Sequence, residues 1–311
     1  MRAVSFVDSI PTTTTLPDPE PSPSELLIEV ASCGLNGADM LQATGNYPPP
    51  PGAPDTPGLE MAGTVVARGD RCRRFDVGDR VMAVVSGGGQ AELCVVEEIL
   101  AVPVARSHEL GTIGGVPEVI ATAHDALFTQ SGLQMGERVC VHGAAGGVGS
   151  AAVQLAVAAG ATVTATVRNP ELRDAVADFG AEVIDPAEFV DAGPFDVILE
   201  LVGAPNWPAN IAALAVEGRI SVIGVGAGSK VEINLVHLMG KRARIFASTL
   251  RARPLAQRAM VADRIERHVL PLLDSGAIQI PVAARFELSD VAAAYERFKA
   301  GGKFGKVIIN P

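Results

Sequence analysis

Between Gly143 and Gly149 the chain reads Gly-Ala-Ala-Gly-Gly-Val-Gly, with an apolar, β-branched run at 138–141 before it and an Ala/Val/Leu run from Ser150 after it. Strand, glycine turn and helix N-terminus in that order make a phosphate-binding device. Bared backbone N–H groups and the positive end of the helix dipole attract a pyrophosphate, and only glycine lets the backbone approach it. The frame G-x-G-x-x-G falls on Ala144 to Gly149, so its first position carries Ala. No Lys-Ser/Thr pair follows the glycines, which argues against a Walker-type ATP site. Gly146, Gly147 and Val148 are the predicted backbone contacts to a dinucleotide diphosphate. The alternative is a glycine-rich turn that serves helix–sheet packing alone.

In an NAD site a carboxylate about twenty positions after the glycines binds the ribose hydroxyls. Here the next strand ends Ala165-Thr166-Val167-Arg168-Asn169, with no carboxylate at its tip. Arg168 stands there instead, with Arg173 a helical turn further on. A guanidinium binds a 2′-phosphate that Asp or Glu would repel, which predicts NADPH. Otherwise Arg168 caps an exposed turn.

These residues need a frame to position them. Residues 1 to about 115 read as short strands punctuated by glycine and proline: 26–30, 63–67, 80–85 and 91–96. That spacing predicts a small, mostly antiparallel β domain. The prolines at 48–51 and Pro54 stiffen a loop that would hold Tyr47 in place. From Pro117 the rhythm changes to alternating helix and strand. Strands are expected at 138–141, 162–167, 182–184, 196–199, 219–223 and 243–248, with helices at 171–179 and up to Ala215. Alternation of this kind means a parallel sheet covered on both faces. A long helix over 255–274, interrupted at Pro271, and a β-α-β tail over 282–309 follow, the tail free to rejoin the first domain. The expected architecture is α/β, a Rossmann-type doubly wound sheet (119–252) inserted in a β-rich substrate domain (1–118 and 253–311).

Bulk properties narrow the function classes. At 311 residues the chain is long enough for two cores. A formal charge of −10 disfavours nucleic acid as a partner. The four cysteines are scattered, forming neither a disulfide framework nor a C-x-x-C pair, as suits a reducing cytosol. The opening MRAVSFVDSI lacks the apolar core and cleavage site of a signal peptide, and no apolar run reaches membrane-spanning length. A cytoplasmic location is expected, and no internal repeat is visible.

Several motifs together resemble the zinc-independent quinone oxidoreductase branch of the medium-chain dehydrogenase/reductase superfamily. They are CGLNGADMLQATGNYPPPPGAP (33–54), PGLEMAGTV (57–65), FDVGDRVMAVVSGGGQAEL (75–93), PEVIATAHDAL (117–127), HGAAGGVGSAAVQLA (142–156), STLRARP (248–254) and FGKVII (304–309). Their order and spacing extend over nearly the whole length. The resemblance implies a GroES-like substrate domain around the Rossmann domain, and a homodimer joined through edge strands. In zinc-using relatives the first motif looks like CGVCGSD, and here the ligand position is Asn36. Their G-H-E motif supplies a histidine where this chain has Leu59, and their cysteine-rich lobe is absent. A metal-free site is therefore expected. Without a Lewis acid, a conjugated acceptor is the easier substrate, because its π system spreads the charge as hydride arrives. Quinones or α,β-unsaturated carbonyls fit. An enoyl or alkenal reductase on the same frame is the alternative, and an NADPH-binding sensor without turnover is a second.

By the same resemblance, Asn36 lies near the nicotinamide ribose or the substrate, or else is a turn residue satisfying its own backbone. Tyr47 matches a tyrosine that in the family faces the cleft, where it could orient the acceptor or donate a proton; simple packing beside the prolines is the alternative. Thr122 resembles a threonine behind the nicotinamide and could equally bond a helix carbonyl. Gly224, ending the strand 219–223, is expected beside the nicotinamide. Lys306 either reaches the cofactor or is a solvated lysine. His142, in the strand before the glycine turn, reads as a hydrogen-bonded core imidazole, and His124 replaces an aromatic residue. Leu172 stands where many members carry a lysine for the 2′-phosphate.

Overall fold

The computed structural model describes residues 1–311, and its strands follow the alternation of apolar residues along the chain. Seven come first: β1 (Arg2–Val7), β2 (Ile10–Thr15), β3 (Glu25–Gly34), β4 (Glu60–Arg68), β5 (Arg80–Val84), β6 (Leu93–Glu97) and β7 (Val102–Pro103). Six more alternate with helices: β8 (Arg138–Val141), β9 (Thr162–Thr166), β10 (Glu182–Ile184), β11 (Phe195–Glu200), β12 (Leu214–Val222) and β13 (Arg244–Ala247). Two close the chain: β14 (Val282–Glu287) and β15 (Lys306–Asn310).

Two compact units result, Met1–Ala121 with Leu250–Pro311, and Thr122–Thr249. Each change-over lies three residues inside the boundaries expected at 118/119 and 252/253. The first falls within the helix Pro117–His124, where no loop marks it.

In the first unit the sheet order is β14-β15-β3-β4-β5-β7, with β6 also paired to β3. All its pairs are antiparallel except β14 with β15. In β3, Leu26, Ile28 and Val30 alternate inward onto a core that also holds Met61, Val65, Val81, Tyr295, Val307 and Ile309. Burial of each large aliphatic side chain is worth roughly 1.5–3 kcal/mol. The tail does rejoin this unit: Ile308 and Ile309 of β15 pair with Gly34 and Cys33 of β3. β3 thus lies between β15 and β4, and the starts of those two strands meet the end of β3. That topology brings Lys306, Asn36 and Glu60 together.

In the second unit the order is β10-β9-β8-β11-β12-β13, and every pair is parallel. Counted from β8, that is 3-2-1-4-5-6, the doubly wound dinucleotide-binding order, whose switch point lies between β8 and β11. Val139, Cys140 and Val141 are fully buried, as a strand covered on both faces requires.

Three expected elements differ. The helix before β12 ends at Ala213, not Ala215, and the strand begins at once. Glu217, at φ 65°, and Gly218 interrupt its pairing before Arg219. The helix expected over 171–179 is a tight turn at Pro170–Leu172 followed by Arg173–Ala177. The long helix does not simply break at Pro271. It widens to a π-helical turn over Ile265–Val269 before Leu270–Asp274, because Pro271 has no N–H and its ring crowds the preceding turn. No helix is long and apolar enough to cross a membrane.

Candidate active site

The second unit's site is the glycine turn at the switch point. Gly143 takes φ 63°, and the chain then enters the helix Gly147–Ala158 with Gly146 as its N-cap. Gly149 lies so close to the turn that a Cβ there would sit 2.4 Å from the Gly143 carbonyl oxygen and 2.6 Å from Ala144 Cα. The amide of Gly146 is not bare: it donates to the Gly143 carbonyl at 3.1 Å. The first internal helix bond runs from Ser150 N–H to the Gly146 carbonyl, 2.8 Å, and no side chain caps the end. The unpartnered amides are therefore those of Gly147, Val148 and Gly149, one residue later than expected. Of the three expected contacts, Gly147 and Val148 keep free donors and Gly146 does not.

Behind the turn lies a buried polar network. Glu200 Oε1 accepts from the backbone N–H of Val202 (2.6 Å) and Gly203 (2.8 Å), and its Oε2 accepts from Asn210 Nδ2 (2.6 Å). That leaves Asn210 Oδ1 as an acceptor for His142 Nε2–H (2.8 Å), so Nδ1 of His142 accepts from the Thr166 hydroxyl (2.9 Å). Burial holds the imidazole pKa below its ordinary value. His142 is the hydrogen-bonded core group expected, tying the ends of β8, β9 and β11 together. His124 is buried too, its ring 5.1 Å from that of Phe128.

Arg168 projects from the end of β9, exposed and without a hydrogen bond or ion pair. Arg173 is not available beside it: its Nη2 pairs with Asp185 at 2.5 Å and its Nε donates to the Val167 carbonyl. Gly224 follows β12, where a Cβ would lie 2.4 Å from the Leu201 carbonyl oxygen. Thr122 is buried in the helix Pro117–His124.

The first unit gathers the remaining candidates. Lys306 is 3% exposed and Glu60 is fully buried, with Nζ to Oε1 2.6 Å. Nζ also donates to Asn36 Oδ1 (2.7 Å) and the Leu35 carbonyl (2.8 Å). The buried ammonium thus makes two hydrogen bonds and one ion pair. Lys306 is therefore not a solvated lysine, and it holds the Asn36 carbonyl oxygen. Asn36 Nδ2 donates to Glu60 Oε1 (2.8 Å) and the Gly34 carbonyl (3.2 Å). Glu60 Oε2 accepts from the Glu118 backbone N–H (2.8 Å). Glu60 is not among the site residues expected from the sequence. A lone carboxylate opening an apolar strand, and a lone lysine opening another, were the signal available.

Tyr47 is half-buried, and its hydroxyl has no partner. The Arg251 guanidinium lies 5.3 Å from its ring centre, donates to the Tyr47 carbonyl (3.1 Å), and donates to Gln42 Oε1 (2.8 Å). Gln42 in turn bonds the Asp55 carbonyl (3.0 Å), so Arg251 clamps both ends of the proline loop. Burial raises the Tyr47 pKa and the Glu118 carboxylate adds to the rise, with Arg251 opposing. Such a phenol stays neutral and acts as a hydrogen-bond donor.

Asp39 accepts from the backbone N–H of Asn36 (2.8 Å) and Gly58 (3.2 Å). Burial, against those bonds, pushes its pKa up to about 6 from 3.8. The folded state then keeps a proton the unfolded chain has released. Its stabilising contribution is complete below about pH 4 and is lost as pH rises through about 6. Between about pH 4.5 and pH 7 the wild type should lose roughly 2 kcal/mol that Asp39→Asn does not lose. Urea unfolding at both pH values measures the difference. Parallel pH slopes for the two proteins would mean Asp39 is ionised throughout.

Comparisons with known proteins agree with this architecture. Residues 22–131 match the family model "Alcohol dehydrogenase GroES-like domain", and residues 147–266 match "Zinc-binding dehydrogenase". Human quinone oxidoreductase is 30% identical over 305 residues, covering 94% of this chain and 90% of its own. The crystal structure of a Pseudomonas syringae quinone oxidoreductase superposes with a TM-score of 0.87 at 27% identity, covering 100% of this chain and 99% of the other. A mycobacterial structure complexed with NADPH gives 0.89 at 25% identity, with full coverage of both. A GroES-like domain joined to a Rossmann-type sheet defines a medium-chain dehydrogenase/reductase. Within that superfamily of oxidoreductases, the chain belongs to the quinone oxidoreductase branch.

Proposed function

We propose that this protein is a zinc-free, NADPH-dependent oxidoreductase that reduces quinones or related α,β-unsaturated carbonyls. The carrying observation is the trio of unpartnered amides, Gly147 to Gly149, at the start of a helix with no side-chain cap. They suit a pyrophosphate, and the space beside Gly146 suits its close approach. The unit Thr122–Thr249 is read as the NADPH-binding domain and the rest of the chain as the substrate domain. When bound, the cofactor would supply hydride from its nicotinamide C4.

This chain's own residues supply the positioning. Gly147, Val148 and Gly149 hold the diphosphate, Arg168 the 2′-phosphate, and Gly224 and Thr122 border the nicotinamide. Asn36 orients the reacting partners, and Tyr47 offers its neutral hydroxyl to the acceptor oxygen as negative charge develops there. The zinc-free reading is supported by the donor set. Where relatives bind metal, Asn36 and Leu59 stand, and Glu60 is already neutralised by an ammonium 2.6 Å away. A homodimer in the cytoplasm completes the proposal. Its support is the unpaired edge of β13 and the apolar helix Leu235–Lys241, where Leu235, Val236 and Met239 are 68%, 72% and 74% exposed.

Titration with NADPH and NADH, then an acceptor screen on the better cofactor, tests the function. Steady oxidation of NADPH by a simple quinone is expected; binding without turnover across the acceptor panel would leave a sensor. Arg168→Ala should weaken NADPH by about 10- to 100-fold, the worth of a charge-assisted hydrogen bond, and leave NADH nearly unchanged. Equal losses for both cofactors would remove Arg168 from the 2′-phosphate.

A further inference from the structure

The first unit holds a cavity of about 410 Å³ between residues 107–116 and residues 273–282, within the roughly 300–1,000 Å³ typical of small-molecule sites. None of its lining residues belongs to the glycine turn, the Asn36 cluster or the Tyr47 loop. Ile113, Val116, Leu273 and Ile278, all buried, give it an aliphatic wall. His108 and Asp274 supply its polar side, with Nε2 2.7 Å from Oδ1. A carboxylate can only accept, so the ring nitrogen in that bond carries the proton, and Nδ1 of the neutral ring is left with a lone pair. Nδ1, the second Asp274 oxygen and the Ser107 hydroxyl have no partner in the protein. Thr112 and Ser275 spend their hydroxyl protons on the Glu109 and Leu272 carbonyls, at 3.1 and 3.2 Å, and keep only lone pairs. The spare capacity of these side chains is thus to accept hydrogen bonds, with Ser107 alone free to do either.

This polar side is held in place by the backbone around it. Arg80 donates to the carbonyls on either side of Ser107, those of Arg106 (3.2 Å) and His108, and the His108 N–H closes the turn onto the Ala105 carbonyl (3.1 Å). Asp274 ends the helix Leu270–Asp274, whose exit is fixed by the N–H groups of Gly276 and Ile278 on the Leu273 and Leu272 carbonyls. The charges nearly cancel. Arg80, with no carboxylate partner of its own, offsets Asp274, and Glu109 is matched by Arg285 at 2.9 Å. We infer that the cavity is a second ligand site, built for a small neutral phenol: its hydroxyl donates to the His108–Asp274 pair and its ring lies on the aliphatic wall. A phenol O–H is a stronger donor than that of an alcohol, and here it meets an ionised acceptor. A rigid ring buries apolar area with little entropy lost. An anion would be repelled by Asp274, and a cation would gain little where Arg80 already offsets that charge. No cofactor enters this site, so it stands whether or not the glycine turn binds a dinucleotide.

Three ring compounds of similar size test the site: p-cresol, toluene and benzylamine. Each is titrated into the full chain by saturation-transfer NMR at about pH 8, above the ordinary imidazole range. p-Cresol should bind saturably and at least about tenfold more tightly than either of the others. Asp274→Ala should weaken p-cresol by about tenfold and leave toluene unchanged. Ser107→Trp, at an exposed loop position, should fill the cavity and abolish binding of all three while keeping the thermal midpoint. Tyr47→Phe should bind p-cresol as the wild type does, because Tyr47 does not line this cavity. Toluene binding as tightly as p-cresol, or benzylamine more tightly, would overturn the ligand class. Absence of saturable binding, or p-cresol affinity that survives both Asp274→Ala and Ser107→Trp, would overturn the site. Loss of p-cresol binding in Tyr47→Phe would move the phenol to the candidate active site and overturn it equally.

Discussion

Substituting Gly149 by alanine should unfold the first turn of the helix Gly147–Ala158, while the same substitution three residues earlier should leave the fold intact and weaken NADPH binding. A Cβ at Gly149 meets backbone on two sides, 2.4 Å from the Gly143 oxygen and 2.6 Å from Ala144 Cα. Backbone cannot rotate away as a side chain can. The helix would have to lift off the end of β8, at a cost of about 1–3 kcal/mol typical of overpacking. A Cβ at Gly146 meets nothing closer than 3.4 Å, and φ −75°, ψ 171° are open to any residue. Gly146→Ala should therefore keep the wild-type thermal midpoint. It should nonetheless lower NADPH affinity by about tenfold or more, roughly 1.4 kcal/mol, because the methyl group occupies the approach of the diphosphate. Calorimetric titration beside a melting curve separates the two. Undiminished affinity in Gly146→Ala would show that the glycines serve packing alone, the alternative the sequence itself leaves open.

What could be read in the chain and what could not divides along contact range. The glycine turn, its strand and its helix are contiguous, and hydrophobic period with glycine placement suffices to find them. Even there the sequence misplaces the bare amides by one residue, because the Gly146-to-Gly143 bond depends on a positive φ at Gly143. The alternation in 138–247 is visible because the central strands β8, β9 and β11 are buried on both faces. The boundary at Thr122 is hidden because a continuous helix crosses it.

Long-range convergence is different. Asn36 and Lys306 meet across 270 residues, and Arg251 reaches Tyr47 across 204. Nothing in local pattern specifies that β15 returns beside β3. A resemblance to a family marks Asn36 and Lys306 one at a time, but their mutual bond appears only with the register of Ile308 against Gly34. Likewise the local sequence around Arg168 and Arg173 does not show that Asp185, twelve residues on, pairs with Arg173.

The Lys306–Glu60 pair should carry the largest single stability effect in the first unit. Lys306→Met leaves the fully buried Glu60 carboxylate with only the Asn36 amide and the Glu118 backbone N–H as donors. Breaking a buried pair by removing one partner typically costs about 3–5 kcal/mol, since an uncompensated charge remains in low dielectric. Adding Glu60→Gln should return most of the lost stability, because a neutral amide needs no counter-ion and still accepts from Glu118. Unfolding is best followed by circular dichroism, because the single tryptophan, Trp207, belongs to the other unit. If Lys306→Met costs less than about 1 kcal/mol, the range of an exposed ion pair, water must reach Glu60 and the pair is not the sealed charge described here. If the cost is large and the second substitution restores it, the ion pair sets the electrostatics at this end of β3, and Asn36 takes its orientation from it.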